Sequence, residues 1–193
     1  MTDIDLDALF DDLPTLRGVH PFVQMLQEVR WFRALGETPT AADRRMAVAY
    51  GAALGFPEAE AAFLTDWEDA AAAAETGDFN SPAWEAEEQL RAGLTDQVLA
   101  VLDEDMLDMV ATHVAESVIA SVEDAAHEAA EHLRIDDGEF VRAVTGAAMQ
   151  AVHQALLAML AGADDDHPFA LRFRLFERGR WPIGILGASF LVY

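Results

Sequence analysis

No glycine or proline interrupts residues 95–133, a stretch that as one helix would run about 58 Å, roughly twice the diameter of a small domain. A chain carrying such a segment has to be organised around helices. Thr95 can cap its start. The acids Asp103, Glu104 and Asp105 offer a different solution, a break at which an acid caps a fresh helix. Both arrangements stay open.

Glycine and proline punctuate the rest of the chain at helical intervals. Thr2 and Asp5 have the spacing of a capping box that opens a short helix closed by Pro14. Pro21, at a first helical position, begins a second helix that carries Phe22, Met25, Leu26, Val29 and Phe32 to a stop at Gly36. Thr40 and Asp43 form another box, for a helix that ends at Gly55. Pro57 starts a fourth through Phe63, Leu64 and Trp67 into an alanine run that stops at Gly77. Ser81 and Pro82 make an N-cap and first-turn pair for a fifth, with Gly93 as its end. Asp136, Asp137 and Gly138 form a turn, and the last helix spans residues 139–161 ahead of Gly162.

Beyond Gly162 both charge and texture change. Residues 167–193 carry four arginines and one acid, whereas residues 1–166 carry 34 acids and eight arginines. Leu171, Phe173 and Leu175 alternate with Arg172, Arg174 and Phe176, the period of two expected of a strand. A turn at residues 177–180, a strand over 181–186 and another over 189–193 complete a β-hairpin or three-strand meander, with Pro182 an awkward member because it cannot donate to a ladder. So small a sheet needs its apolar face covered. The expected fold is therefore mainly α: a bundle of six to seven helices, residues 1–166, with a basic β-hairpin or meander, residues 167–193, packed on it in the same globular unit. Arg172 and Arg174 are expected to face carboxylates of residues 1–166.

Composition narrows the chemistry. Hydrophobic residues make up 52% of the 193, enough for one core. The chain has no cysteine and all twelve of its cationic residues are arginine. Disulfides, thiol nucleophiles, cysteine-ligated metals, Schiff bases and a phosphate-loop lysine are thereby excluded. A formal net charge of −23 repels nucleic acid and anionic lipid surfaces and attracts basic proteins or divalent cations. No run of about 18 uninterrupted apolar residues is present to span a bilayer, and the acidic first residues differ from a secretory signal. A cytoplasmic protein with no nucleic-acid or membrane partner is the expectation.

Two acidic constellations could carry metal chemistry. His113, Glu116, Glu123, His127 and Glu131 fall within an arc of about 80° on one helix, a stripe able to chelate a divalent metal. The buried face, marked by Val114, Val118 and Val122, lies roughly opposite, which favours a solvated stripe. Glu104, Asp105 and Asp108 place acids one turn apart, and Glu85 and Glu88 on the preceding helix can face them. This arrangement resembles the two-helix acidic site of helical nucleotide pyrophosphohydrolases, over these few residues only, and the resemblance implies magnesium-dependent phosphate chemistry. His127 to His132 superficially matches a zinc-protease helix but has glutamates where the second histidine is required.

No catalytic set is complete, and no cofactor is implied beyond a divalent metal. The leading expectation is a non-enzymatic acidic interaction protein that binds a protein partner or itself, a homodimer being one form. Arg172, Arg174, Phe190, Val192 and Tyr193 are its interface candidates, because an apolar C-terminal strand can complete a sheet across an interface. The alternative is a divalent-metal-binding bundle or metal-dependent (pyro)phosphohydrolase.

Overall fold

The computed structural model describes residues 13–77 and 81–193; the capping box at Thr2 and Asp5 lies outside them. Among the described residues the chain is mainly α, a bundle of seven helices with a small three-stranded sheet packed against it. A 3-10 helix, Pro14–Gly18, leads into α1, Val19–Glu28, followed by α2, Ala41–Ala53. Strand β1, Glu60–Phe63, precedes α3, Trp67–Glu75, α4, Pro82–Leu99, α5, Glu104–Leu133, and α6, Gly138–Leu160. The chain closes with α7, Pro168–Glu177, and strands β2, Pro182–Leu186, and β3, Ser189–Val192.

The caps are local and follow the expected chemistry. Thr40 Oγ1 accepts from the Asp43 amide at 3.2 Å while Asp43 Oδ2 accepts from the Thr40 amide at 2.8 Å, a complete capping box. Ser81 accepts from the Trp84 amide at the start of α4. Asp103 Oδ1 accepts from the Met106 amide at 2.8 Å, so the long uninterrupted stretch breaks there, into two helices. Gly93 does not end α4, because Leu94 and Val98 continue its buried stripe. Helix α1 stops at Glu28 rather than Gly36: Val29 is extended, and Phe32 adopts φ 57° in a compact bend over residues 31–36. Pro21 sits inside the first turn of α1, where a missing N–H costs nothing.

Helix α6 is the axis of the core. Phe140, Val144, Ala148, Ala151, Val152, Leu156 and Leu157 are all buried, and α6 packs against α4, α5 and α7. It is long and apolar enough by length and composition to cross a bilayer, yet most of that window is buried inside this fold. Its small alanines let neighbouring helices approach closely.

Two further segments differ from the sequence expectation in secondary-structure type. Residues 171–176 are helical, not a strand. Pro168 occupies the first turn of α7 and His167 Nδ1 accepts from the Phe169 amide at 3.2 Å. The alternation of apolar and basic residues misleads because α7 is buried almost all round. Phe169, Phe173 and Phe176 enter the main core, while Leu171 and Leu175 enter a second cluster with Tyr50, Phe190 and Val192. Arg172 is itself buried. The second difference is β1, which lies where the fourth helix was expected. That helix begins only at Trp67, capped by Asp66, whose side chain accepts from the Asp69 amide at 3.0 Å.

The sheet therefore is not a simple meander. Its order is β1-β3-β2, with β3 parallel to β1 and antiparallel to β2. Pro182 is tolerated because it is the first residue of an edge strand, beside an irregularity between Pro182 and Gly184. Gly187, at φ 58°, turns the chain from β2 into β3.

Candidate functional site

The His and Glu stripe lies on α5 as its geometry requires, and it faces solvent. His113, Glu116, Glu123, His127 and Glu131 are all exposed, opposite a buried row of Val110, Val114, Val118 and Val122. Glu104, Asp105 and Asp108 are exposed as well, and Glu88 is engaged by Arg91, whose Nε approaches Oε1 at 3.1 Å. Among the described residues no three His, Asp or Glu side chains are grouped so as to hold a metal ion. The two acidic constellations therefore remain separate surface features.

The interface candidates divide. Phe190, Val192 and Tyr193 are buried, and β3 is the central strand, with both its edges occupied by β1 and β2. Sheet completion across an interface by β3 is thus not available in this fold. Arg172 and Arg174 sit on α7 and do face carboxylates. Arg172 Nη1 lies 2.5 Å from Glu87 Oε2, and Arg174 Nη2 lies 3.2 Å from Asp165, which is fully in solvent.

Two clefts gather polar side chains from distant parts of the chain. The first, of about 260 Å³, has Trp84, Trp181, Ile183 and Ile185 on its walls and the Arg172 and Glu87 pair among its lining. Glu87 also accepts from Tyr50 Oη at 2.5 Å. Burial, reinforced by the Glu87 charge, pushes the Tyr50 phenol well above its ordinary 10.0 although Arg172 opposes the shift. For Arg172, burial alone would favour the neutral form; Glu87 and Tyr50 more than offset it and hold the guanidinium charged. The triad has no free base and no activated nucleophile. Its chemistry is that of a closed structural network.

The second cleft, of about 460 Å³, opens where α7 meets the bend after α1, and is lined by Arg30, Arg33, Arg178 and Arg180 together with Glu37, Asp43 and Glu177. Asp43, the capping residue of α2, accepts from Arg178 Nε and from Arg180 Nη2, the latter at 3.3 Å. Although burial raises the Asp43 carboxyl, the Thr40 amide and Arg178 hold it below its ordinary 3.8. Arg180, 2% exposed, also donates to the carbonyls of Ala34, Glu37 at 2.8 Å and Thr38 at 3.2 Å.

This chain matches no protein-family model, no curated protein and no solved structure.

Sequence reasoning did not single out Arg30, Arg33, Asp43 as an ion-pair partner, Tyr50 or Glu87. The contacts of Asp43, Tyr50 and Glu87 span tens of residues or more in the chain. The one local signal was the Arg30-Trp31-Phe32-Arg33 run, in which two arginines flank two aromatics.

Proposed function

We propose that the protein is a non-enzymatic binding module that takes a basic, apolar segment of a protein partner on the outer face of α5 and the turn leading into it. The observation that supports this reading is the exposure of large apolar side chains inside an acidic surface. Met109 is 60% and Val101 56% exposed, and Leu99 is exposed beside them in sequence. Asp103, Glu104, Asp105, Asp108 and Glu116 are exposed in the same segment. Met109 projects from the stripe face of α5, between Asp105 and His113 in helical angle. Exposed Met is adaptable and favours contact with varied apolar partners. The surrounding acids select a cationic one and speed its approach. A divalent-metal or phosphohydrolase role has no comparable support.

A synthetic amphipathic peptide of leucine and lysine, titrated by fluorescence anisotropy, tests the reading. Met109→Ser with Val101→Ser should weaken binding about tenfold, from apolar area left unburied. Asp105→Asn with Asp108→Asn should weaken it about fivefold and flatten its salt dependence. Glu68→Gln with Glu75→Gln removes the same charge from exposed positions of α3 and should change little. Equal effects from the two charge pairs would mean diffuse attraction and would overturn the proposal. Loss of a dimer in light scattering on Met109→Ser would instead make a second copy of the chain the occupant.

A further inference from the structure

We infer that the arginine cleft between α7 and the bend after α1 is a binding site for a small molecule bearing an oxyanion head group, a phosphate monoester or a carboxylate.

The local charge balance is opposite to that of the molecule. Four guanidiniums and three carboxylates line the cleft, whereas the whole chain carries 12 cationic and 35 acidic residues. Asp43 is shared between Arg178 and Arg180 and so neutralises only one of them. Arg30 and Arg33 are exposed, and neither has an ion pair or hydrogen bond from its side chain to a described residue. Other exposed arginines, Arg45 and Arg134 among them, also lack such a partner; Arg30 and Arg33 differ in lining one cleft together with Arg178 and Arg180. One further negative charge in the cleft would bring its formal balance to neutrality.

The cleft is also built rigidly. Phe32 holds a left-handed conformation, φ 57°, which is costly for a bulky residue. It is kept there by burial of its ring against Trp31 at 6.2 Å and Phe176 at 6.4 Å. The bend places Arg30 and Arg33, on either side of those aromatics, on the same cleft. Opposite them, Gly179 at φ 77° lets the backbones touch: Ala34 N–H donates to the Gly179 carbonyl at 3.1 Å, and a Cβ on Gly179 would lie 2.8 Å from Ala34 N. Arg178 and Arg180 flank that glycine. Two chain segments, each carrying two arginines, are thereby locked face to face. Arg180 lines the cleft as a buried side chain, anchored by Asp43 and three backbone carbonyls.

Guanidinium forks match the paired oxygens of phosphate and carboxylate. A volume of about 460 Å³ suits a metabolite-sized ligand rather than a bare ion. A nucleic-acid strand is a poor occupant, because its flanking phosphates would lie against the acidic surface.

Thermal unfolding of the full chain in roughly 10 mM phosphate, succinate or chloride at matched ionic strength provides the test. Millimolar affinity should raise Tm by about 3 °C over chloride. Phosphate active and succinate inactive assigns a phosphate head group; the reverse assigns a carboxylate. Arg30→Ala with Arg33→Ala should keep the fold, with an unchanged Tm in chloride, and lose the anion-dependent rise. Arg30→Lys with Arg33→Lys should retain part of it. Arg45→Ala, an exposed arginine of α2 outside the cleft, should retain all of it. General salting-out by phosphate acts on every variant alike. No rise with either anion, or an equal rise in the Arg30 and Arg33 double variant, overturns the inference.

Discussion

Arg172 of α7 reaches Glu87 of α4 with Nη1 2.5 Å from Oε2, and both side chains are largely withdrawn from water, at 7% and 15% exposure. The pair joins the C-terminal segment to the helical body at a point where the second apolar cluster, built from α2, α7 and the sheet, closes around Tyr50. A buried guanidinium of this kind is stable only while its counter-charge stays in place.

Glu87→Ala should therefore destabilise the fold by about 3–5 kcal/mol, since it leaves Arg172 buried and uncompensated. Replacing both partners, Glu87→Leu with Arg172→Met, should cost much less, because neither charge is then stranded. Urea denaturation midpoints measure the difference. Equal losses from the single and double variants would show that the site is sensitive to packing rather than to charge.

Asp43 predicts a pH dependence. Its carboxyl is held below its ordinary 3.8 in the folded state, so its contribution is fully present above the unfolded value, about pH 4, and is lost as pH falls through the lower folded value. Asp43→Asn should be strongly destabilised at pH 7, where Arg180 loses its one carboxylate partner among the described residues. That penalty should shrink as the pH is lowered below about 4. Chemical denaturation of both proteins between pH 7 and pH 3 gives the curve, and a penalty independent of pH would assign the effect to lost hydrogen bonds alone.

Deleting Ser189 to Tyr193 should abolish cooperative unfolding rather than alter an interface. It removes the central strand and three fully buried side chains, Phe190, Val192 and Tyr193. Phe190→Ala alone, which strips the ring packed 4.7 Å from that of Tyr50, should cost about 3–5 kcal/mol. Far-UV circular dichroism melts combined with light scattering separate the outcomes. A truncated chain with an unchanged melt and a different mass would make the strand an interface element after all.

The boundaries that could be read from the residues are those made by short-range hydrogen bonds. Thr40 with Asp43, Ser81 ahead of Pro82, and Asp103 ahead of Met106 cap their helices within three residues. Asp103 decided between one long helix and two, an alternative its side chain could signal but not settle. The acidic stripe on α5 was legible in the same way, because helical angle alone puts His113 and His127 opposite Val114 and Val118.

The arginine cleft was not legible, nor was the identity of α7. Leu171, Phe173 and Leu175 satisfy a period of two, yet Phe169, Phe173 and Phe176 equally satisfy the helical period, and only the presence of apolar clusters on both sides of the segment selects the helix.

By itself the sequence determined a helical protein with an acidic body, a basic end, and most of the helix starts, since propensity, capping and composition act over a few residues. Tertiary structure alone decided that residues 60–63 would be a strand, because they need β3 from the far end of the chain to pair with. It also decided where the arginines went. Asp43 had been spoken for as a cap, and only folding brought Arg178 and Arg180 onto it and left Arg30 and Arg33 facing them across an open cleft.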